Sequence, residues 1–125
     1  MPTPIRITVG AVVLHGELHD GPLAAAVAAA LPLEDTLRSY GQAFYIETPI
    51  DRELEAGASD RVEAGDIAYW PPALAVVVFF GPTPGSPPGS QRPVAASEVT
   101  IIGRCEEPAR LAGQQSAARL RIERA

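Results

Sequence analysis

The chain has 125 residues, of which 10 are Lys or Arg and 15 are Asp or Glu, and its formal net charge is -5. Nucleic acids and anionic membranes are held mainly by clustered basic side chains, so this charge balance argues against both as partners. The length fits one domain, residues 1–125, that folds without a disulfide or a metal. The single cysteine, Cys105, excludes an internal disulfide and suits a reducing cytoplasm, where we expect the protein to reside.

The first third of the sequence predicts a hairpin followed by a helix. Residues 5–9 alternate between apolar and polar side chains, as a half-buried strand does, and a short turn leads into a second strand over residues 12–18. A helix is predicted over about residues 21–31. Pro22 lies in its first turn, where a missing N–H costs nothing, and Pro32 ends it.

The middle of the chain is predicted to form strands around an acidic loop. The loop, residues 52–60, contains Gly and shows no apolar periodicity. An apolar run, residues 73–80, is rich in Val and Phe, which favours a strand buried on both faces. Pro71 and Pro72 form a hinge before it. The strands predicted in this part are residues 35–40, 43–48, 67–70 and 74–80.

The last third begins with a segment that cannot enter a sheet. Residues 81–93 are dense in Pro, Gly and Ser, which predicts a loop that is either a lid over a cleft or a disordered connector. Strands are predicted over residues 99–104 and 118–123, with one helical turn at about residues 107–111. Many short strands with one or two helices indicate a mainly β protein with a closed or sandwiched sheet.

Two motifs in the middle of the chain carry a family resemblance. They are Tyr69–Pro72, which reads Tyr-Trp-Pro-Pro after a Gly-Asp turn, and Phe79–Pro84, which reads Phe-Phe-Gly-Pro-Thr-Pro. Residues 45–49, 96–99 and 102–103 fit the same pattern. By these motifs the sequence resembles, over nearly its whole length, a small prokaryotic family of cyclophilin-like domain proteins. The resemblance implies a closed β-barrel of about eight strands, with one longer helix across an open end and one short helical turn.

The true cyclophilins of this fold are peptidyl-prolyl isomerases, so the resemblance implies a cleft for a proline-containing peptide or a small apolar ligand. Catalysis would need an apolar pocket for the ring and a cation near the proline amide, since hydrogen bonding to that nitrogen lowers a rotation barrier of about 18–20 kcal/mol. The candidate cations are Arg38, Arg61 and Arg92. The candidate pocket residues are Phe44, Tyr45, Tyr69, Trp70, Phe79 and Phe80.

Two functions of different classes therefore fit the sequence. The first is a ligand- or peptide-binding module with an aromatic cleft, and the second is a weak isomerase that uses an Arg beside this cleft. The sequence favours the first, because the Gln context of the classical enzymes is missing and only Gln42 and Gln91 offer spare central amides. Trp70 is either a wall of the cleft or part of the core. We expect no cofactor, and the sequence specifies no oligomeric state.

Other polar residues give weaker signals. His15 and His19 would suit a metal on a helix, but on a strand this spacing separates them by about 13 Å, so we expect no metal site. Glu47 and Asp51 are expected to be surface carboxylates rather than an acid–base pair. A hydrolase or isomerase that uses Glu47 or His15 on a small metabolite is a third, less favoured function. Ser97 has no base beside it in the sequence.

Two further residues receive structural predictions. Cys105 shares the parity of apolar residues in its strand, which predicts a buried and inert thiol. Asp66 follows a glycine at a turn, and we expect its carboxylate to accept hydrogen bonds from nearby backbone N–H groups rather than to take part in catalysis.

Overall fold

The computed structural model describes residues 1–114 and 117–125, which form ten strands and three helices. The helices are Pro22–Ala30 (α1) and two 3-10 segments, Pro71–Ala73 and Pro108–Gly113. The strands are Thr3–Val9 (β1), Val12–Leu18 (β2), Leu33–Thr36 (β3), Arg38–Ser39 (β4), Ala43–Glu47 (β5), Ser59–Arg61 (β6), Asp66–Trp70 (β7), Ala75–Phe79 (β8), Val94–Cys105 (β9) and Arg119–Arg124 (β10). None of the described helices is long and apolar enough to cross a membrane.

The strands form one sheet in the order β3-β10-β1-β2-β9-β7-β8-β5-β4, and β6 pairs with β9 from outside this path. The mainly β prediction is thereby confirmed. A barrel closed by hydrogen bonds is not, because the two end strands, β3 and β4, are not paired with each other in the described residues. Only Leu37 separates these two strands in the sequence, so the chain itself joins the two edges of the sheet.

Helix α1 packs its apolar side on the sheet and is held at both ends by distant side chains. Leu23 and Val27 are among its buried residues. At its first turn, the Glu55 carboxylate accepts the N–H of Leu23 at 2.9 Å, where a negative charge also favours the helix dipole. At its end, the Arg124 guanidinium donates to the Ala28 carbonyl at 2.9 Å. Helix α1 begins one residue later and ends one residue earlier than the predicted range, residues 21–31.

The central strands β5, β7 and β8 carry apolar side chains on both faces, because successive side chains in a strand point to opposite sides. One set fills the interior between the sheet and α1. The other forms an outer apolar layer, which consists of Ala43, Val62, Ala68, Ala75, Val77, Phe79, Ala95 and Val99, with Tyr40, Tyr45, Trp70 and Ala73 packed against them.

The segment predicted as a lid or a connector, residues 81–93, is a loop whose two ends are tied together. The Thr83 hydroxyl donates to the Val94 carbonyl and accepts the Val94 N–H at 3.3 Å. The Ser86 hydroxyl accepts the Thr83 N–H at 3.0 Å and donates to the Arg92 carbonyl at 2.7 Å. These bonds bring the start of β9 to the outer layer.

The predicted acidic loop, residues 52–60, is anchored to the sheet and ends in a strand. The Tyr69 hydroxyl donates to the Ile50 carbonyl and accepts the Arg52 N–H at 3.2 Å. The Thr100 hydroxyl accepts the Glu55 N–H at 3.0 Å. Strand β6 starts inside the predicted loop, because it is specified by its pairing with β9 and not by a local apolar pattern.

Three boundaries differ from the sequence predictions for related reasons. Strand β9 begins at Val94 rather than at residue 99, since its first residues have no apolar alternation and gain their partner only from β6. The predicted strand over residues 35–40 is two strands, because β3 pairs with β10 and β4 pairs with β5. The helical turn near residue 107 begins at Pro108 and continues to Gly113.

Strands β2 and β9 approach each other closely at two glycines. A Cβ at Gly16 would overlap the Arg104 carbonyl oxygen and lie 2.9 Å from the Cα of Cys105, and a Cβ at Gly103 would overlap the Glu17 carbonyl oxygen. We therefore expect Gly16→Ala to lower the free energy of unfolding by about 1–3 kcal/mol, as overpacking does, in urea denaturation.

The matched control is Gly113→Ala, whose added Cβ meets nothing within 4 Å. This variant should stay within about 0.5 kcal/mol of the parent protein. Equal unfolding midpoints for the two variants would contradict the close approach of β2 and β9.

Candidate functional site

A cleft lies on the outer face of the sheet, where the outer apolar layer is incompletely covered. It holds about 330 Å³, including its open mouth. None of its lining residues is charged, so a ligand there meets apolar and aromatic walls. These residues are Tyr40, Tyr45, Trp70, Val77, Phe79, Ala95, Ala96 and Val99.

Strand register brings the aromatic walls together. Tyr45 pairs with Val77 across β5 and β8, and paired residues in antiparallel strands point to the same face. Trp70 pairs with Ala75 across β7 and β8 on that face. The Tyr45 and Trp70 rings meet edge to face, with centroids 5.8 Å apart and an interplanar angle of 81°. This is a favourable arrangement for an aromatic pair.

A tight connection holds Trp70 at the end of its strand. Pro71–Ala73 form a 3-10 turn after it, and Leu74 adopts a left-handed φ of 50° before β8 begins. The Leu74 carbonyl accepts both the N–H and the hydroxyl of Thr48, each at 2.8 Å. The predicted hinge at Pro71 and Pro72 is thus a short helical turn, and Thr48, the residue after β5, holds the residue that follows the turn.

The indole of Trp70 is also fixed from β9. Its Nε1–H donates to the Ser97 hydroxyl oxygen at 2.6 Å. Ser97 is exposed and lies between the lining residues Ala96 and Val99 in the sequence. The ring therefore joins β7 to the part of β9 that crosses the outer layer.

The six aromatic residues predicted from the sequence divide equally between two places. Tyr45, Trp70 and Phe79 line the cleft. The other three, Phe44, Tyr69 and Phe80, lie in the interior core. The Phe44 and Phe80 rings pack with centroids 4.6 Å apart. Strand alternation explains this division, since neighbours such as Phe79 and Phe80 must point to opposite faces.

Sequence reasoning did not single out the remaining lining residues. Val77 has the same parity as Phe79 in β8, and that parity is the signal that could have identified it. Tyr40 lies just after β4 and reaches the cleft only through the pairing of β4 with β5. Ala95, Ala96 and Val99 line it because β9 crosses the outer layer, for which the local sequence carries no signal.

The three candidate arginines lie outside the cleft lining. Arg38 pairs with Tyr45 across β4 and β5, so it shares the outer face, and its guanidinium lies 3.3 Å from the Glu47 carboxylate. Arg61 pairs with Val94 across β6 and β9 and is not among the residues that line the cleft. Arg92 lies 3.5 Å from the Glu63 carboxylate, away from the cleft lining.

The other predicted polar residues take structural or exposed positions. The buried Asp66 carboxylate accepts the Glu63 N–H at 2.8 Å and pairs with the Arg104 guanidinium at 2.9 Å. His15 and His19 are both exposed. Within residues 1–114 and 117–125, no three His, Cys, Asp or Glu side chains are grouped as a metal site requires.

Glu47 and Asp51, the two candidate acid–base carboxylates, also lie outside the cleft. Glu47 is about half exposed and engaged with Arg38, and Asp51 is exposed on the loop that follows β5. Neither residue lines the aromatic cleft. His15 lies in a separate, open depression beside Glu17 and Arg104. An acid–base role for Glu47 or His15 stays a prediction.

The sequence profile of the cyclophilin-like family matches residues 3–123. The chain belongs to this family. The solution structure of the hypothetical protein AF2241 from Archaeoglobus fulgidus is similar over 99% of this chain and 95% of that chain, with 35% sequence identity and a TM-score of 0.79. No curated protein matches the sequence.

A second solved structure shares the fold at lower identity. It is the structure of McbB in complex with tryptophan, which is 14% identical, with a TM-score of 0.67 over 96% of this chain and 44% of that chain. At this identity the likeness concerns the fold alone. Function must therefore be argued from the cleft.

Cys105 is buried in the interior core, and burial raises the pKa of its thiol from 9.0 to about 11. Because the thiolate is the reactive form, alkylation by iodoacetamide at pH 8 should be about 100-fold slower in the native protein than in urea, given these pKa values. Equal rates of alkylation in the native protein and in urea would contradict the burial of Cys105.

The folded state also holds the thiol proton of Cys105 more tightly than the unfolded state does, so the thiol's contribution to stability should fall as pH rises from about 9 towards 11.

Proposed function

We propose that this protein is a binding module whose aromatic cleft takes one neutral apolar ring. This ring belongs either to a proline residue of a peptide or to a small apolar ligand. The observation that supports the proposal is that Tyr45 and Trp70 keep their rings partly exposed, beside the buried Phe79, on the outer face of a sheet whose interior core is already complete without them. Aromatic groups left at an open cleft are typical of binding sites.

Size and charge narrow the class of ligand. The space between the walls is about 330 Å³ even with the open mouth counted, which fits at most one ring rather than an extended molecule. The walls offer no charge to pair with an ion, and an unpaired ion placed against apolar walls would lose hydration without compensation. A neutral five- or six-membered ring is therefore the best match.

An isomerase is the alternative function, and one observation favours it. Arg38 shares the outer face with Tyr45, so a rearranged guanidinium would approach the mouth of the cleft. In the structure this guanidinium is engaged with Glu47, and the residues that line the cleft include no Arg. Without a cation at the proline amide, the cleft has no means to lower the rotation barrier in the way that the sequence prediction requires.

A cytoplasmic location remains a prediction from the single cysteine.

Ligand binding is tested by NMR titration of the 15N-labelled protein with N-acetyl-Ala-Pro-Ala-amide. We expect shifts centred on the cleft, and we expect Tyr45→Ala to weaken the affinity about ten-fold, because an aromatic wall of the site is lost. The same peptide with Ala in place of Pro should bind much more weakly, since it lacks the ring.

The matched control variant is Val13→Ala, at a side chain that is 38% exposed on β2 and does not line the cleft. Its affinity should equal that of the parent protein. Shifts scattered away from the cleft, or equal affinities for the Pro and Ala peptides, would refute the proposal.

Isomerase activity is tested by a protease-coupled assay on an Ala-Pro peptide. We expect no acceleration over the uncatalysed rate, because the cleft lining contains no cation. Acceleration that is lost in Arg38→Ala and kept in Arg61→Ala would replace the binding proposal with the isomerase function.

A further inference from the structure

Ser97 lies where the indole nitrogen of Trp70 reaches the edge of the cleft. Its hydroxyl oxygen accepts the Trp70 Nε1–H at 2.6 Å, and in the described part of the chain this is the one hydrogen bond found for that side chain. A serine hydroxyl has two acceptor positions and one O–H donor. No described residue accepts a hydrogen bond from this donor, and Ser97 is exposed next to the lining residue Ala96, where the donor would meet a group that extends from the cleft.

We propose that Ser97 binds a carbonyl oxygen of the ligand whose ring occupies the cleft. This inference rests on the proposed function and specifies its ligand: a neutral ring that carries an acyl group, such as the amide that precedes a proline. The acceptor bond from the indole supports this role, because a hydroxyl that accepts a hydrogen bond becomes a stronger donor. That bond also fixes the position of the hydroxyl oxygen relative to the aromatic wall.

The surroundings of Ser97 favour this role over others. A serine nucleophile needs an adjacent base, and the described partner of this hydroxyl is an indole N–H, which cannot remove a proton. A purely structural hydroxyl at this exposed position would be dispensable, since water would accept the indole N–H in its place. Ser97 is thus a positioning residue for the ligand and not a catalytic residue.

The test uses a matched pair of small ligands, N-acetylpyrrolidine and its thioamide analogue, in which sulfur replaces the only carbonyl oxygen. The two share the ring and the neutral charge, but sulfur is the weaker acceptor. Binding is followed by NMR shifts of the cleft residues of the 15N-labelled protein. We expect the parent protein to bind the oxygen compound about five-fold more tightly, as one neutral hydrogen bond allows.

Ser97→Ala should remove this preference. It should weaken the oxygen compound about five-fold and leave the thioamide unchanged, whereas Ser97→Thr, which keeps the hydroxyl, should preserve the preference. A loss of packing alone would weaken both ligands equally, so the ratio of their affinities separates the two explanations. The shift of the Trp70 indole N–H reports that the wall remains in place.

Each other outcome overturns a specific statement. If both ligands bind the parent protein equally and Ser97→Ala changes neither, the role of Ser97 is refuted while the cleft still binds a ring. If Ser97→Ala weakens both ligands by the same factor, Ser97 supports the wall and does not bind the carbonyl. If neither ligand shifts the cleft residues of the parent protein, the proposed function fails and this inference fails with it.

Discussion

The central strands β5, β7 and β8 are apolar on both faces, and this requires that both faces be covered. The interior face is covered by α1 and by the far side of the curved sheet. On the outer face, β6 and the first half of β9 cover part of the apolar layer. The cleft lies where this cover stops, and Tyr45 and Trp70 form its exposed wall. The candidate site is therefore a consequence of incomplete burial on the outer side of the sheet.

Single hydroxyl groups attach the covering segments to the sheet. Tyr69 holds the loop after β5, Thr100 holds the same loop near Glu55, and Thr83 holds the start of β9. Ser97 makes the equivalent bond with the indole of Trp70. Among the described residues, no buried side-chain nitrogen or oxygen lacks a hydrogen-bond partner, which is the condition for polar groups to specify a structure without loss of stability. In this set, Ser97 is the hydroxyl that is exposed.

Family membership and function are separate conclusions for this protein. The matches over residues 3–123 and to the archaeal structure show the cyclophilin-like fold. The function has to come from the side chains around the cleft, because one fold hosts many activities. In this chain the arginine that shares the outer face, Arg38, is engaged with Glu47 outside the cleft lining. The residues that line the cleft offer apolar contact and the Tyr40 and Tyr45 side chains but no cation, which favours the proposed binding role over catalysis.

The sequence by itself determined the mainly β class, the first hairpin, the helix and the family, because these depend on local periodicity, proline placement and contiguous motifs. The six aromatic residues predicted to line the cleft were three that do line it and three that fill the interior core. A run such as residues 79–80 is apolar on both faces, so the sequence does not show which face is interior. Only the tertiary structure decided which of these aromatics line the cleft. The path of β9 across the outer layer, the pairing of β6, and the meeting of Ser97 with Trp70 depend on contacts between residues distant in sequence, for which no local pattern exists.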